Sequence, residues 1–290
     1  MIKEKMQQQN FSIIAPGQVT RELAGPNVIL VDARGGADAT ERYRTAHIEG
    51  AVMVNLETDL SEIGPDAARG GRHPLPDPSV FGGLLGRLGI TPSTRILVYD
   101  DKAGANAAAR FWWMMKAAGH REVQVVDGGL AAMIDVGLPV SKGPASPPTP
   151  AEPYPVEAWQ LPTADIDTVD RLRTDPQSLV IDVRENYRYR GESEPIDLVA
   201  GHIPGAINIP FLNNLEASGH FRSPKELADQ YSLAIGDRNV KNIIVHCGSG
   251  VTACHTLLAM DSAGLPLPKL YVGSWSEWSR NEKPVAKGTP

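Results

Sequence analysis

Cys247 stands where a short apolar run, Ile243-Ile244-Val245, gives way to Gly248, Ser249 and Gly250. Beyond Val251, the residues Thr252, Ala253, Cys254, Thr256, Leu257 and Leu258 open a second apolar stretch. The first run is β-branched throughout and reads as a buried strand, the second as a helix. A thiol at the C-terminal end of a strand, on a tight loop feeding a helix, meets the unpaired N–H groups and partial positive charge of the helix N-terminus. Both favour thiolate over thiol. Gly248 and Gly250 let the backbone curl so that successive N–H groups converge, forming an anion-holding nest. The loop 247–252, CGSGVT, carries no Lys, Arg, Asp or Glu, so a thiolate here depends on amides and helix dipole. Nucleophilic attack by sulfur is the chemistry this suits. A cysteine is ordinarily a small buried hydrophobe, and only the strand, glycine loop and helix around it set Cys247 apart. Cys254, seven residues on and about two turns along the expected helix, keeps the structural reading.

Other polar residues sort by where they recur. Asp32 and Arg34 follow one apolar run, and Asp182 and Arg184 follow another, so each pair reads as a structural ion pair or turn. His47 and His202 precede glycine-containing turns and take the same reading. His246 could be a base, but on an alternating strand it points away from the residue that follows it, which assigns it to sheet packing. Ser249 and Thr252 either hydrogen-bond a substrate or sulfur, or cap the helix. Trp275 and Trp278 read as core.

These residues belong to a duplicated chain. Asp32 and Asp182 are 150 residues apart, His47 and His202 are 155, and the runs at 96–99 and 243–246 are 147. A drifting offset near 150 means two copies of one domain with loop insertions. Each copy alternates short apolar strands (28–31, 95–99, 123–126; 179–181, 243–246, 270–272) with helical stretches such as 104–119. That alternation predicts an α/β fold, with a mainly parallel sheet flanked by helices in each copy. Functional loops in such sheets lie beyond the C-terminal strand ends, where Cys247 falls. The organisation expected is a first domain over 11–140, a proline-rich connector over 141–155 and a second domain over 156–290, with residues before about 11 polar and loosely held. Aligning IIVHC with ILVYD puts Asp100 in the place of Cys247. The first copy is therefore expected to be catalytically silent and to wall the cleft.

The 290 residues suit about two domains, and 42% hydrophobic content supports a proper core. A net charge of −6 without a long basic run argues against nucleic acid and anionic membrane as partners. No stretch reads as a signal peptide or membrane span. Two cysteines cannot form a disulfide framework, which points to a reducing compartment and, most simply, the cytoplasm.

The loop Cys247-Gly248-Ser249-Gly250-Val251-Thr252 resembles the active loop of the rhodanese sulfurtransferases. Within that family it is similar to the loop of the 3-mercaptopyruvate sulfurtransferases, whereas two-domain thiosulfate enzymes typically carry basic residues there. GRHPLP at 71–76, the Asp-x-Arg pairs, HIPGAIN and YVGSWSEW at 271–278 extend the resemblance along nearly the whole chain. It implies two tandem rhodanese-like domains, the first inactive, and sulfane-sulfur transfer from 3-mercaptopyruvate or thiosulfate through a Cys247 persulfide. The expected acceptor is cyanide, a thiol or thioredoxin, with no metal or organic cofactor. Gly248 to Thr252 would stabilise the sulfur anions, and Arg188 matches an arginine that grips the substrate carboxylate. The family's second substrate arginine is missing, since Pro195 is followed by Ile196 and Asp197. Two rivals stand beside this reading. A cysteine phosphatase of the same fold needs a terminal loop arginine, which 251–254 lack. A persulfide relay module would load sulfur without turning over a small donor.

Overall fold

A computed structural model describes residues 12–144 and 148–289. The polar start and residues 145–147 of the proline-rich connector lie outside the described residues. The first half runs β1 (Ile13–Ile14), α1 (Pro16–Leu23), β2 (Val28–Arg34), α2 (Ala39–Thr45), β3 (His47–Ile48), β4 (Val52–Asn55), α3 (Pro78–Arg87), β5 (Arg95–Tyr99), α4 (Ala107–Ala117), β6 (Val123–Val126), α5 (Gly129–Asp135) and β7 (Val140–Ser141). The second half runs β8 (Thr163–Ala164), α6 (Ile166–Leu172), β9 (Leu179–Asp182), α7 (Asn186–Tyr189), β10 (Ile207–Asn208), α8 (Pro224–Ile235), β11 (Ile243–His246), α9 (Thr252–Ser262), β12 (Lys269–Tyr271) and α10 (Ser274–Trp278).

The two sheets have the same strand order, β1-β6-β5-β2-β4 and β8-β12-β11-β9-β10, and all pairings in both are parallel. Each apolar run is buried on both faces and covered by helices, the usual condition of a parallel sheet. The chain is thus α/β, with two copies of one doubly covered sheet. β11 is the central strand of the second sheet, between β9 and β12, and delivers Cys247 to its C-terminal edge.

α4 and α9 join the halves. Every residue of α4 except Lys116 is buried, including Phe111, Trp112, Trp113, Met114 and Met115. α9 is buried over nearly all its length, and the two helices pack against each other within one continuous apolar cluster. A helix that is apolar all round is covered all round, and each large side chain so buried contributes about 1.5–3 kcal/mol. Two expectations need adjusting. The helix expected at 104–119 begins only at Ala107, because the N–H groups of Lys102, Gly104, Asn106 and Ala108 all turn to the Asp100 carboxylate. Cys254 lies in the first turn of α9, not two turns along, since the loop keeps the chain out of the helix until Thr252. Among the described residues, no helix is long and apolar enough to cross a membrane.

Candidate active site

The loop from Cys247 to Val251 is pinned from below by α10. Cys247 N–H donates to Ser274 Oγ (3.2 Å), and the Cys247 and Gly248 carbonyls accept from Trp275 N (3.0 Å) and Ser276 N (2.8 Å). Gly250 sits at φ +73°, where a Cβ would stand 2.4 Å from the Val272 carbonyl, so only glycine fits. With the carbonyls spoken for, the N–H groups of residues 248–253 have no acceptor among the described residues. They are the orphan donors of the α9 N-terminus and its approach. Cys247 is 2% exposed, and that exposure opens on a cavity of about 250 Å³ lined also by Gly248, Ser249, Val251, Thr252 and Arg188. This volume falls below the roughly 300–1,000 Å³ of pockets for drug-sized ligands, so it suits a molecule of a few heavy atoms.

The opposite wall comes from the first half. His73, on the segment between β4 and α3, hydrogen-bonds Ser249 Oγ through Nδ1 at 2.8 Å, and its Nε2 lies 4.0 Å from Glu57 Oε1. Burial, aided by the charges of Arg72 and Arg110, pushes the His73 imidazole down to about 4, so it is neutral at pH 7. Arg110, in the middle of α4, is fully buried beneath the loop. Its guanidinium donates to the carbonyls of His73 (3.0 Å), Gly250 (3.2 Å) and Leu60 (3.5 Å) and, among the described residues, faces no carboxylate. Burial lowers its pKa, and the thiols of Cys254 and Cys247 oppose that shift.

Arg188, on α7, is held by Glu194 through Nε (3.1 Å) and Nη2 (2.6 Å), while Nη1 lies 3.5 Å from Glu185. Burial would lower its pKa, but the Glu194 hydrogen bonds and charge raise it on balance. Asp182–Arg184 and Asp32–Arg34 are buried ion pairs in matching places, each arginine donating also to a backbone carbonyl at 2.7 Å. His47 and His202 stack on Tyr43 and Tyr189, again in matching places. His246 is fully buried, with Nε2 3.8 Å from Asp182 and Nδ1 3.2 Å from the Cys247 carbonyl. Trp275 and Trp278 are fully buried.

The structure therefore brings Cys247, Gly248, Ser249, Val251, Thr252 and Arg188 to one cavity, with Gly250 serving as the strained corner beneath it. Ser249 does not cap α9, because its hydroxyl is taken by His73. Sequence reasoning missed Arg72, His73 and Arg110 as contributors. The visible signals were an Arg-His pair in GGRHPLP and one arginine amid the apolar residues of α4.

A model of the rhodanese-like domain matches the chain twice, over residues 15–135 and 165–281. The chain is 39% identical to a probable 3-mercaptopyruvate sulfurtransferase of Pseudomonas aeruginosa, across 95% of this chain and 98% of that one. It is 36% identical to the thiosulfate sulfurtransferase of Gallus gallus, across 87% and 85%. Among solved structures, the 3-mercaptopyruvate sulfurtransferase of Leishmania major superposes with a TM-score of 0.81 at 29% identity, covering 94% of this chain and 75% of that one. The two sheets of one topology, the thiol on its glycine loop and these likenesses agree, and the chain belongs to the rhodanese-like family as a tandem-domain sulfurtransferase.

Proposed function

We propose that the protein moves the sulfur of 3-mercaptopyruvate, through a persulfide on Cys247, to a thiophilic acceptor. The observation carrying this reading is a buried thiol that faces a small cavity from a loop with free N–H groups and no charged side chain of its own. In the first step the Cys247 thiolate attacks the donor's thiol sulfur. An S–S bond forms, the carbon–sulfur bond breaks, and its electron pair passes to the enolate of pyruvate. The thiol proton ends on that carbon, leaving pyruvate and a Cys247 persulfide anion. The unpaired loop amides, the α9 N-terminus and the Arg110 cation beneath the loop all stabilise negative sulfur. Ser249, held by neutral His73, presents its hydroxyl proton to the donor's carbonyl oxygen as charge grows there. Arg188 contributes to holding the carboxylate. In the second step cyanide, a small thiol or a reduced thioredoxin attacks the outer sulfur and restores the Cys247 thiolate, a ping-pong cycle. The two free thiols suit a reducing compartment such as the cytoplasm.

The test compares thiocyanate formation from 3-mercaptopyruvate and from thiosulfate, with cyanide as acceptor and Cys247→Ala as control. A kcat/KM at least tenfold higher for 3-mercaptopyruvate is expected. A preference for thiosulfate would overturn the donor assignment, and sulfur loading without turnover of either donor would make the protein a persulfide relay.

A further inference from the structure

We propose that Arg72, supplied by the first half of the chain, is a donor-specificity residue that closes with Arg188 on the donor's carboxylate. The inference deepens the sulfur-transfer reading and rests on it for the identity of the donor, but not for the geometry. Gly248, the residue after the nucleophile, is the point on which both cations converge. Where a Cβ on Gly248 would stand, Arg72 Nη2 lies 3.2 Å away and Arg188 Nη2 3.5 Å. A planar anion beside the thiol would thus meet two guanidinia at once, an arrangement that suits a carboxylate.

Charges around the cavity are layered. Arg72, Arg184 and Arg188 line it, whereas the carboxylates that hold them, Asp182, Glu194 and Asp197, do not. Glu57 and Glu185 do line it, with side chains 30% and 35% exposed. Asp197 is the shared anchor. Its fully buried carboxylate receives Arg72 Nε (3.2 Å) and Nη2 (3.4 Å) and Arg280 Nη1 (2.9 Å), with Arg188 Nη2 at 3.7 Å. Its neighbour Ile196 stands in the cavity wall where the sequence lacks the expected arginine. Arg72 enters from across the cleft and occupies that side.

Its backbone is fixed as firmly as its side chain. Gly70 N–H donates to Glu277 Oε1 (2.8 Å) and Arg72 N–H to Ser276 Oγ (3.0 Å). Gly71 lies at φ +79°, with the Gly273 carbonyl 2.3 Å from where a Cβ would be. The turn therefore presses directly on α10, which also pins the Cys247 loop, so the guanidinium and the thiol share one foundation.

The test alkylates the Cys247 thiol with iodoacetate, which carries a carboxylate, and with neutral iodoacetamide, in the full-length protein. The ratio of the two rate constants reads anion positioning without requiring turnover, and a general disturbance of the loop cancels in it. In Arg72→Ala the ratio is expected to fall about tenfold, the loss of one charge-assisted contact. It should recover at least threefold in Arg72→Ala/Ile196→Arg and stay within twofold of wild type in Arg171→Ala, a surface control. With 3-mercaptopyruvate, Arg72→Ala should raise KM about tenfold with kcat within threefold. A ratio unchanged within twofold in Arg72→Ala would overturn the inference. A wild-type protein inactive on 3-mercaptopyruvate would end the proposed donor and leave the alkylation result to decide the clamp.

Discussion

The loops after β5 and β11 occupy the same place in two copies of one sheet, and they have opposite fates. After β11, the N–H groups of residues 248–253 have no acceptor among the described residues and the strand ends in a thiol. After β5, Asp100 fills its own loop. One carboxylate oxygen accepts from Lys102 (2.9 Å) and Gly104 (2.7 Å), the other from Asn106 (3.0 Å) and Ala108 (3.2 Å). Burial raises the pKa of Asp100 while these four N–H groups oppose the shift. On charge alone, the adjacent carboxylates of Asp100 and Asp101 would repel an anionic donor. The geometry replaces that account, because Asp101 turns away to Arg42 and Arg34 and Asp100 is itself the anion in the nest. A side-chain carboxylate in place of a thiol converts an anion site into a self-satisfied structural turn.

The sharpest way to break this contrast is to make the second loop like the first. Cys247→Asp should lose sulfur transfer by at least about a thousandfold, because no sulfur nucleophile remains, while thermal unfolding shows a folded protein. A melt collapsed well below that of Cys247→Ala would mean that the second nest cannot close on a carboxylate.

The converse change acts on stability. Asp100→Ala strands four N–H groups and leaves a void, and should cost about 3–5 kcal/mol in denaturant unfolding. The kcat/KM of the folded fraction should stay within about threefold of wild type. A large loss of kcat/KM with unchanged stability would mean that the first loop takes part in the chemistry.

The smallest effect separates the loops by acid. The His73 contact to Ser249 belongs to the second loop alone, and its folded pKa of about 4 lies below the unfolded value near 6.5. The unfolded chain thus binds the extra proton first as pH falls. Stability associated with neutral His73 is complete above pH 6.5, declines from there to pH 4 and changes no further below it. Unfolding free energies of His73→Gln should fall by roughly 2–4 kcal/mol less than wild type across that window. Fully buried His255, pushed down to about 3, keeps its own acid dependence in both proteins. Parallel curves would place the proton elsewhere.

Much of this was readable from the chain. The repeat of β-branched runs gave both sheets, since a fully buried parallel strand is a continuous apolar run whatever surrounds it. The place of Cys247 between strand and helix was legible for the same reason, because strand, glycines and helix are consecutive in sequence. Arg72 and Arg110 were not found, because their meaning depends on how one copy docks on the other. Periodicity reports which face of α4 is apolar but not that Gly250 waits opposite its one arginine. Ser249 shows the limit at closest range. On local grounds its hydroxyl could cap a helix or serve a substrate, and the partner that holds it off the cap is a histidine 176 positions earlier in the chain.

The cation under the loop, Arg110, has a consequence for descent. A second copy of a domain that adds no reacting group is ordinarily free to decay or be deleted. Here the copy without the thiol owns the guanidinium beneath the Gly250 carbonyl, the imidazole on Ser249 and the helix that covers α9. Deleting it would strip away half the pocket and bare an apolar helix. The two copies are bound to be inherited together, and their sequences can diverge only along the lines that their shared cavity allows.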